Sequence, residues 1–183
     1  MRVLGVDPGS SATGYGLVER DGGVIRHLRH GVLRPPTGAD LSERLRFLHA
    51  ELLEIARSEA PDVAVVERVF LASNPHSALV LGQARGAILA SLGEARVRVS
   101  ELAARQVKKA VAGTGSADKK QMQLMVARLL CLETAPPTDA ADALALALSF
   151  AQAGPLADLP IRGRRGRGSS RRRTTQFVLG RTR

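Results

Sequence analysis

The sequence predicts an α/β fold, a mixed sheet with helices on both faces. Two observations carry this. The first 34 residues hold three short apolar runs divided by turn residues. After residue 40, helical stripes alternate with short apolar runs, the rhythm of βαβ units. Hairpins joined to right-handed crossovers give strands that run both ways.

The first strand spans 2–6 and ends at Asp7-Pro8-Gly9-Ser10, where Pro8 and Gly9 turn the chain. A second strand covers 13–19, with Gly14 and Gly16 marking close backbone approach. Asp21-Gly22-Gly23 reads as a hairpin turn into a third strand over 24–33. Pro35-Pro36 ends that strand.

Leu41, Leu45, Leu48, Leu52 and Ile55 recur at spacings of 4, 3, 4 and 3, one face of a helix. Asp40 is placed to cap it and Pro61 lies past its end. The continuous apolar run 63–66 suits a buried parallel strand and runs straight into Glu67. A helix over 75–92 is rich in small residues (Ala78, Gly82, Ala84, Gly86, Ala87), which permit close packing. A last short strand falls at 97–99. Ser100 caps an expected helix over 101–109, and Gly113-Thr114-Gly115-Ser116 is a loop. Ser116 caps a helix over 117–130. After Pro136-Pro137, Thr138 caps the final helix, 139–152.

Composition narrows the chemistry. The chain has 183 residues, 44% of them hydrophobic, which suits a globular core. No apolar run approaches the ~18 residues of a membrane span, and Asp7 interrupts the N-terminal run too early for a secretory signal. Cys131 is the single cysteine, so there is no disulfide framework, and a reducing cytoplasm fits. No Cys/His cluster has zinc spacing, so a bound metal has to be a hard cation on oxygen ligands. The net charge is +10. Residues 155–183 hold nine arginines against one acid, Asp158, and contribute +8 of it. The expected organisation is one compact unit over 1–154 and a flexible basic arm over 155–183.

The acids carry the functional reading. Asp7 ends the first strand and Glu67 ends the fourth. Sites in open α/β sheets form at the carboxyl ends of strands. If those strands are parallel neighbours, the two carboxylates stand side by side. Asp139 and Asp142 are three apart at the start of a helix and share a face. Singly, each has an ordinary structural role: a turn residue, a solvated strand end, or acids complementing a helix dipole. Together they are harder to explain without a cation. Asp142 sits inside an alanine- and leucine-rich run, where an unpaired charge is costly to bury. Clustered carboxylates raise each other's pKa until a cation neutralises them. Two divalent ions about 4 Å apart would stabilise the attacking and leaving oxygens of a phosphoryl displacement. The sequence does not decide between Asp139 and Asp142 as the direct ligand.

Arg105, Lys108, Lys109, Lys119 and Lys120 flank the loop at 113–116, where they can grip phosphates; a solvated helix face is the plainer reading, and for Arg105 the preferred one. Phe70 lies three past Glu67 in an expected loop. It is placed either to wedge between bases or to fill the core.

These residues resemble a known family, the RuvC-type Holliday junction resolvases, or crossover junction endodeoxyribonucleases. The matching stretches include Gly5-Val6-Asp7-Pro8-Gly9-Ser10, Val66-Glu67-Arg68-Val69-Phe70, Leu81-Gly82-Gln83-Ala84-Arg85-Gly86, Ala104-Arg105-Gln106-Val107-Lys108 and Asp139-Ala140-Ala141-Asp142-Ala143-Leu144-Ala145. They run in the family's order from residue 3 to about 150. The resemblance implies a ribonuclease-H-like fold with a five-stranded mixed sheet. It implies a bacterial cytoplasmic homodimer that nicks two strands of a four-way DNA junction symmetrically and works with RuvA and RuvB. It implies magnesium, with manganese as substitute, held by Asp7, Glu67, Asp139 and Asp142. Lys108 and Lys119 match its DNA-contacting lysines, with Lys119 also near the chemistry, and Phe70 its base-inserting phenylalanine. The arginine-rich tail departs from the pattern.

Three other readings compete. An actin- or sugar-kinase-type ATP-binding protein shares the strand–Asp–Gly opening but needs a second such domain. A non-catalytic DNA-binding module driven by the tail leaves four converging acids beside DNA unexplained. A ribonuclease-H-like nuclease acting on another nucleic acid differs only by the family match.

Overall fold

The computed structural model describes residues 1–68 and 75–154. Phe70 and the basic arm lie outside the described residues. Five strands form one sheet: β1 (Arg2–Asp7), β2 (Thr13–Asp21), β3 (Val24–Leu33), β4 (Val63–Glu67) and β5 (Arg98–Leu102). Their order is β3-β2-β1-β4-β5. β1 pairs antiparallel with β2, and β2 with β3, through the turn at Gly22-Gly23. β1 and β4 run parallel, as do β4 and β5. The sheet is mixed, as the order of hairpins and crossovers predicts.

Strand periodicity sorts the core into two layers. Leu4, Val6, Leu17, Ala64 and Val66 face one side, where α1 (Leu41–Glu59) and α2 (Pro75–Glu94) cover them. Val3, Val18, Val63 and Val65 face the other, under α3 (Ala104–Ala112), α4 (Lys119–Leu129) and α5 (Thr138–Ala153). Asp40 caps α1 as expected, its side chain accepting the Glu43 N–H at 2.8 Å.

α5 is the central helix. Every residue from Ala140 to Ala151 is buried except Asp142. It is apolar all round because the sheet takes one side and α3 and α4 the other. Small residues let it approach. A Cβ on Gly14 would collide with the Asp139 carbonyl oxygen, and one on Gly16 with the Leu144 side chain. Gly14 and Gly16 are therefore the points where α5 rests on β2.

Three helix starts differ from expectation. Ser100 is not a helix cap: it pairs with Val65 inside β5, which runs on to Leu102. α3 then starts at Ala104, and the Gln106 side chain accepts the Ala103 N–H at 3.0 Å. α4 starts two residues later than expected, because Asp118 rather than Ser116 caps it by accepting the Gln121 N–H at 2.8 Å. Pro137, not Thr138, occupies the cap of α5.

Candidate active site: a carboxylate cleft

Register builds the site. Val6 of β1 pairs with Val66 of β4, so Asp7 and Glu67 are the next residues on neighbouring parallel strands. The two-residue period puts Asp7 on the face of Val3 and Glu67 on the face of Val63 and Val65, which is the face under α5. α5 then lays Asp142 over the strand ends. Asp7, Glu67 and Asp142 line one cleft of about 330 Å³, together with Lys108 of α3 and Lys119 at the start of α4. Val107, Met122 and Leu146 supply its apolar wall.

The electrostatics are those of crowded acids. Burial pushes the Asp7 carboxyl up to about 7, and the charges of Asp142, Glu67 and Asp139 add to the effect against the pull of Lys119. Glu67 is raised by burial and by Asp142, with Lys108 and Lys119 opposing. Asp142 is raised by burial and by Asp139, again against the two lysines. Among the described residues, no three acidic, histidine or cysteine side chains are drawn tightly enough to enclose an ion. The donor set fits a hard cation: three carboxylates line the cleft, and the two lysines beside them leave the carboxyls raised.

Asp139 stands apart from its neighbour. It lies outside the lining of the cleft, with Oδ2 3.9 Å from the Arg34 guanidinium, yet its charge still reaches Asp7 and Asp142. Lys109, Lys120 and Arg105 are exposed and do not line the cleft. The Arg105 stem covers Gly115 in the loop before α4, where a Cβ would come within 2.9 Å of it.

Two supports of the site escaped sequence reasoning. Thr13 is fully buried, and its hydroxyl accepts the Gly9 N–H at 3.3 Å and donates to the Gly9 carbonyl at 2.9 Å. It closes the loop that follows Asp7. Arg44 of α1 donates to the Ser10 carbonyl in the same loop. The four-residue spacing from Gly9 to Thr13 was a usable signal; nothing local marks Arg44. Beside Glu67, Arg68 continues the β4–β5 ladder through its N–H to Leu102 and pairs with Glu101 at 3.6 Å.

A five-stranded mixed sheet with acids at the ends of β1 and β4 and at the head of the central helix defines the class, a nuclease-type carboxylate site on an α/β sheet. Comparison with known proteins is specific. A family model described as crossover junction endodeoxyribonuclease RuvC matches residues 3–150. A crossover junction endodeoxyribonuclease RuvC of Bordetella parapertussis is 49% identical over 158 residues, covering 86% of this chain and 87% of its own. The solved RuvC of Thermus thermophilus matches with a TM-score of 0.77 at 36% identity, over 85% of this chain and 96% of that one. The same protein in complex with Holliday junction substrate matches equally well, over 84% and 96%. The chain belongs to the RuvC family of crossover junction endodeoxyribonucleases, which are metal-dependent nucleases.

Proposed function

We propose that this chain resolves four-way DNA junctions by paired, symmetric, metal-dependent nicks during recombination and repair. The observation that carries the reading is the convergence of Asp7, Glu67 and Asp142 in one cleft flanked by Lys108 and Lys119. Membership of the family, and a likeness to a relative solved with a Holliday junction, support the substrate.

Asp7, Glu67 and Asp142 are the ligands, with Asp139 closing the set from the rim. Magnesium is the ion, two per site, and manganese substitutes. Such cations, when bound, neutralise charge at the phosphate and acidify the attacking water. The chain's own residues do the rest. Lys119 holds the scissile phosphate from the head of α4, and Lys108 holds a neighbouring one from α3. Arg105, Lys109 and Lys120 extend the basic surface along the same two helices. The apolar wall keeps bulk water from the reacting face. Phe70, three residues past Glu67, is the base wedge. The nuclease unit spans 1–154, and the arm over 155–183 adds nonspecific attraction to DNA.

Paired cuts need two sites about a two-fold axis, hence a homodimer. α2 supports it as the interface: Leu79 is 61% exposed, and Gly82 and Gly86, on the same side, have open space around them. RuvA and RuvB are the partners that family membership supports. A bacterial cytoplasmic location fits the bacterial relatives, and no described helix is long and apolar enough to cross a membrane.

The test uses a synthetic four-way junction and a matched linear duplex, with and without Mg²⁺ or Mn²⁺. Paired symmetric nicks in the junction alone, and only with metal, are expected. Equal cutting of the duplex would overturn the junction reading; metal-independent cutting would overturn the site.

A further inference from the structure

A third cation stands beyond the rim of the cleft, beside Asp139. Lys108 and Lys119 approach the cleft from α3 and α4. Across the sheet, Arg34 follows Leu33, the last residue of β3. Register brings it to the site: Leu33 pairs with Thr13, Val32 with Gly14, and Gly14 with Asp7. The start of α5 meets that corner, since the Asp139 backbone rests on Gly14. So the guanidinium and the Asp139 carboxylate come to 3.9 Å.

The pair is loose. At 3.9 Å it is no hydrogen bond, and the two side chains are 62% and 39% exposed. Exposed pairs of this kind contribute little to stability. Once the carboxylate is engaged elsewhere, a phosphodiester offers the guanidinium charge-assisted, two-pronged hydrogen bonds. A strand whose scissile phosphate sits over Asp7 has backbone on both sides of it. The lysines serve one side, and Arg34 stands at the other.

We propose that Arg34 is a DNA phosphate contact on the β3 side of the cleft, held by Asp139 until a divalent cation takes that carboxylate. This rests on the metal-nuclease reading of the same cleft. It makes metal and DNA binding mutually supportive, because the ion frees a guanidinium for the backbone. It also gives Asp139 a task distinct from that of Asp142: coupling ion occupancy to grip on the strand.

The experiment is a double-mutant cycle on the full chain, read as affinity for a labelled four-way junction in EDTA. Arg34→Gln alone should change affinity less than about twofold, because Asp139 already occupies the guanidinium. Asp139→Asn should tighten binding about 3- to 10-fold and steepen the salt dependence by about 0.9, one added phosphate contact. In the double variant the extra slope should vanish and most of the tightening with it. Arg34→Lys should keep part of the coupling as a point charge. If Asp139→Asn tightens binding equally with Arg34 present or replaced, at unchanged slope, the proposal is overturned. A second readout is Mn²⁺ affinity without DNA, by electron paramagnetic resonance. Arg34→Gln should tighten it severalfold by removing a competing cation; unchanged or weaker binding would overturn the exchange. Failure of the parent reading shows separately, as a wild-type chain that does not cut a junction with metal, whereas the cycle in EDTA needs no cutting.

Discussion

Asp7 and Glu67 follow the register pair Val6 and Val66, and so end adjacent parallel strands on the face that α5 covers. Sixty residues separate them in sequence, yet one ladder aligns them. Both carboxylates stand on strands, and a braced loop directly follows Asp7. A site built on strand ends is stiff, and the electrostatic cost of crowding the acids is carried by the fold around it.

Replacing Asp7 by Asn should abolish metal-dependent cutting and leave junction binding intact. It should also stabilise the metal-free protein. The Asp7 carboxyl titrates at about 7 in the fold against 3.8 in the open chain. A raised acid contributes stability below pH 3.8 that is lost as pH rises through about 7. Above pH 7 the Asn variant should therefore gain about 1–3 kcal/mol, read from chemical denaturation in EDTA. Normal cutting by this variant would reject the mechanism.

Metal affinity should depend on pH through the same group. Ligation requires the carboxylate, so protons compete with the ion below about pH 7. Apparent Mn²⁺ affinity should fall by up to about tenfold per unit below that point, and level off above about pH 8. Calorimetry from about pH 5.5 to 8.5 checks this. A flat profile would mean that Asp7 is not a ligand.

Lys108→Ala should weaken binding to all junction sequences alike and lower the salt slope by about 0.9, one phosphate contact. Anisotropy titrations at several salt concentrations measure it. An unchanged slope assigns Lys108 to the electrostatics of Glu67 and Asp142 alone.

Thr13→Val keeps the shape of a fully buried side chain and removes its hydroxyl. The Gly9 N–H and carbonyl then lose their partner. The expected cost is about 1–3 kcal/mol. Metal affinity should drop more than the loss of stability explains, because the loop after Asp7 loosens; Thr13→Ser should restore both. Unfolding midpoints and Mn²⁺ titrations on the three proteins distinguish the outcomes.

Much of this was legible in the sequence, for identifiable reasons. The stripe from Leu41 to Ile55 has a period that a helix satisfies, the short Val-rich run into Glu67 suits a buried strand, and both fall where expected. The β5–α3 boundary slipped because Ser100 carries the chemistry of a cap, and only pairing with Val65 keeps it in a strand. Ser116 and Asp118 are both good caps two residues apart; Gln121, whose side chain also accepts the Asp118 N–H at 3.1 Å, favours Asp118. Within the site, the strand acids follow from strand logic. Asp139 and Asp142 share a helix face, so sequence cannot part them. The seating of α5 on Gly14 and Gly16 does, with Asp142 in the cleft and Asp139 at Arg34. Arg34 and Arg44 find partners 105 and 34 residues away, beyond any local pattern.

The most direct measurement is anomalous diffraction from crystals soaked in Mn²⁺. Strong peaks should fall between Asp7, Glu67 and Asp142, with carboxylate oxygens of both strand-end acids in the first coordination sphere. Manganese bound elsewhere, or a cleft in which Asp7 and Glu67 touch no ion at saturating metal, would contradict the account.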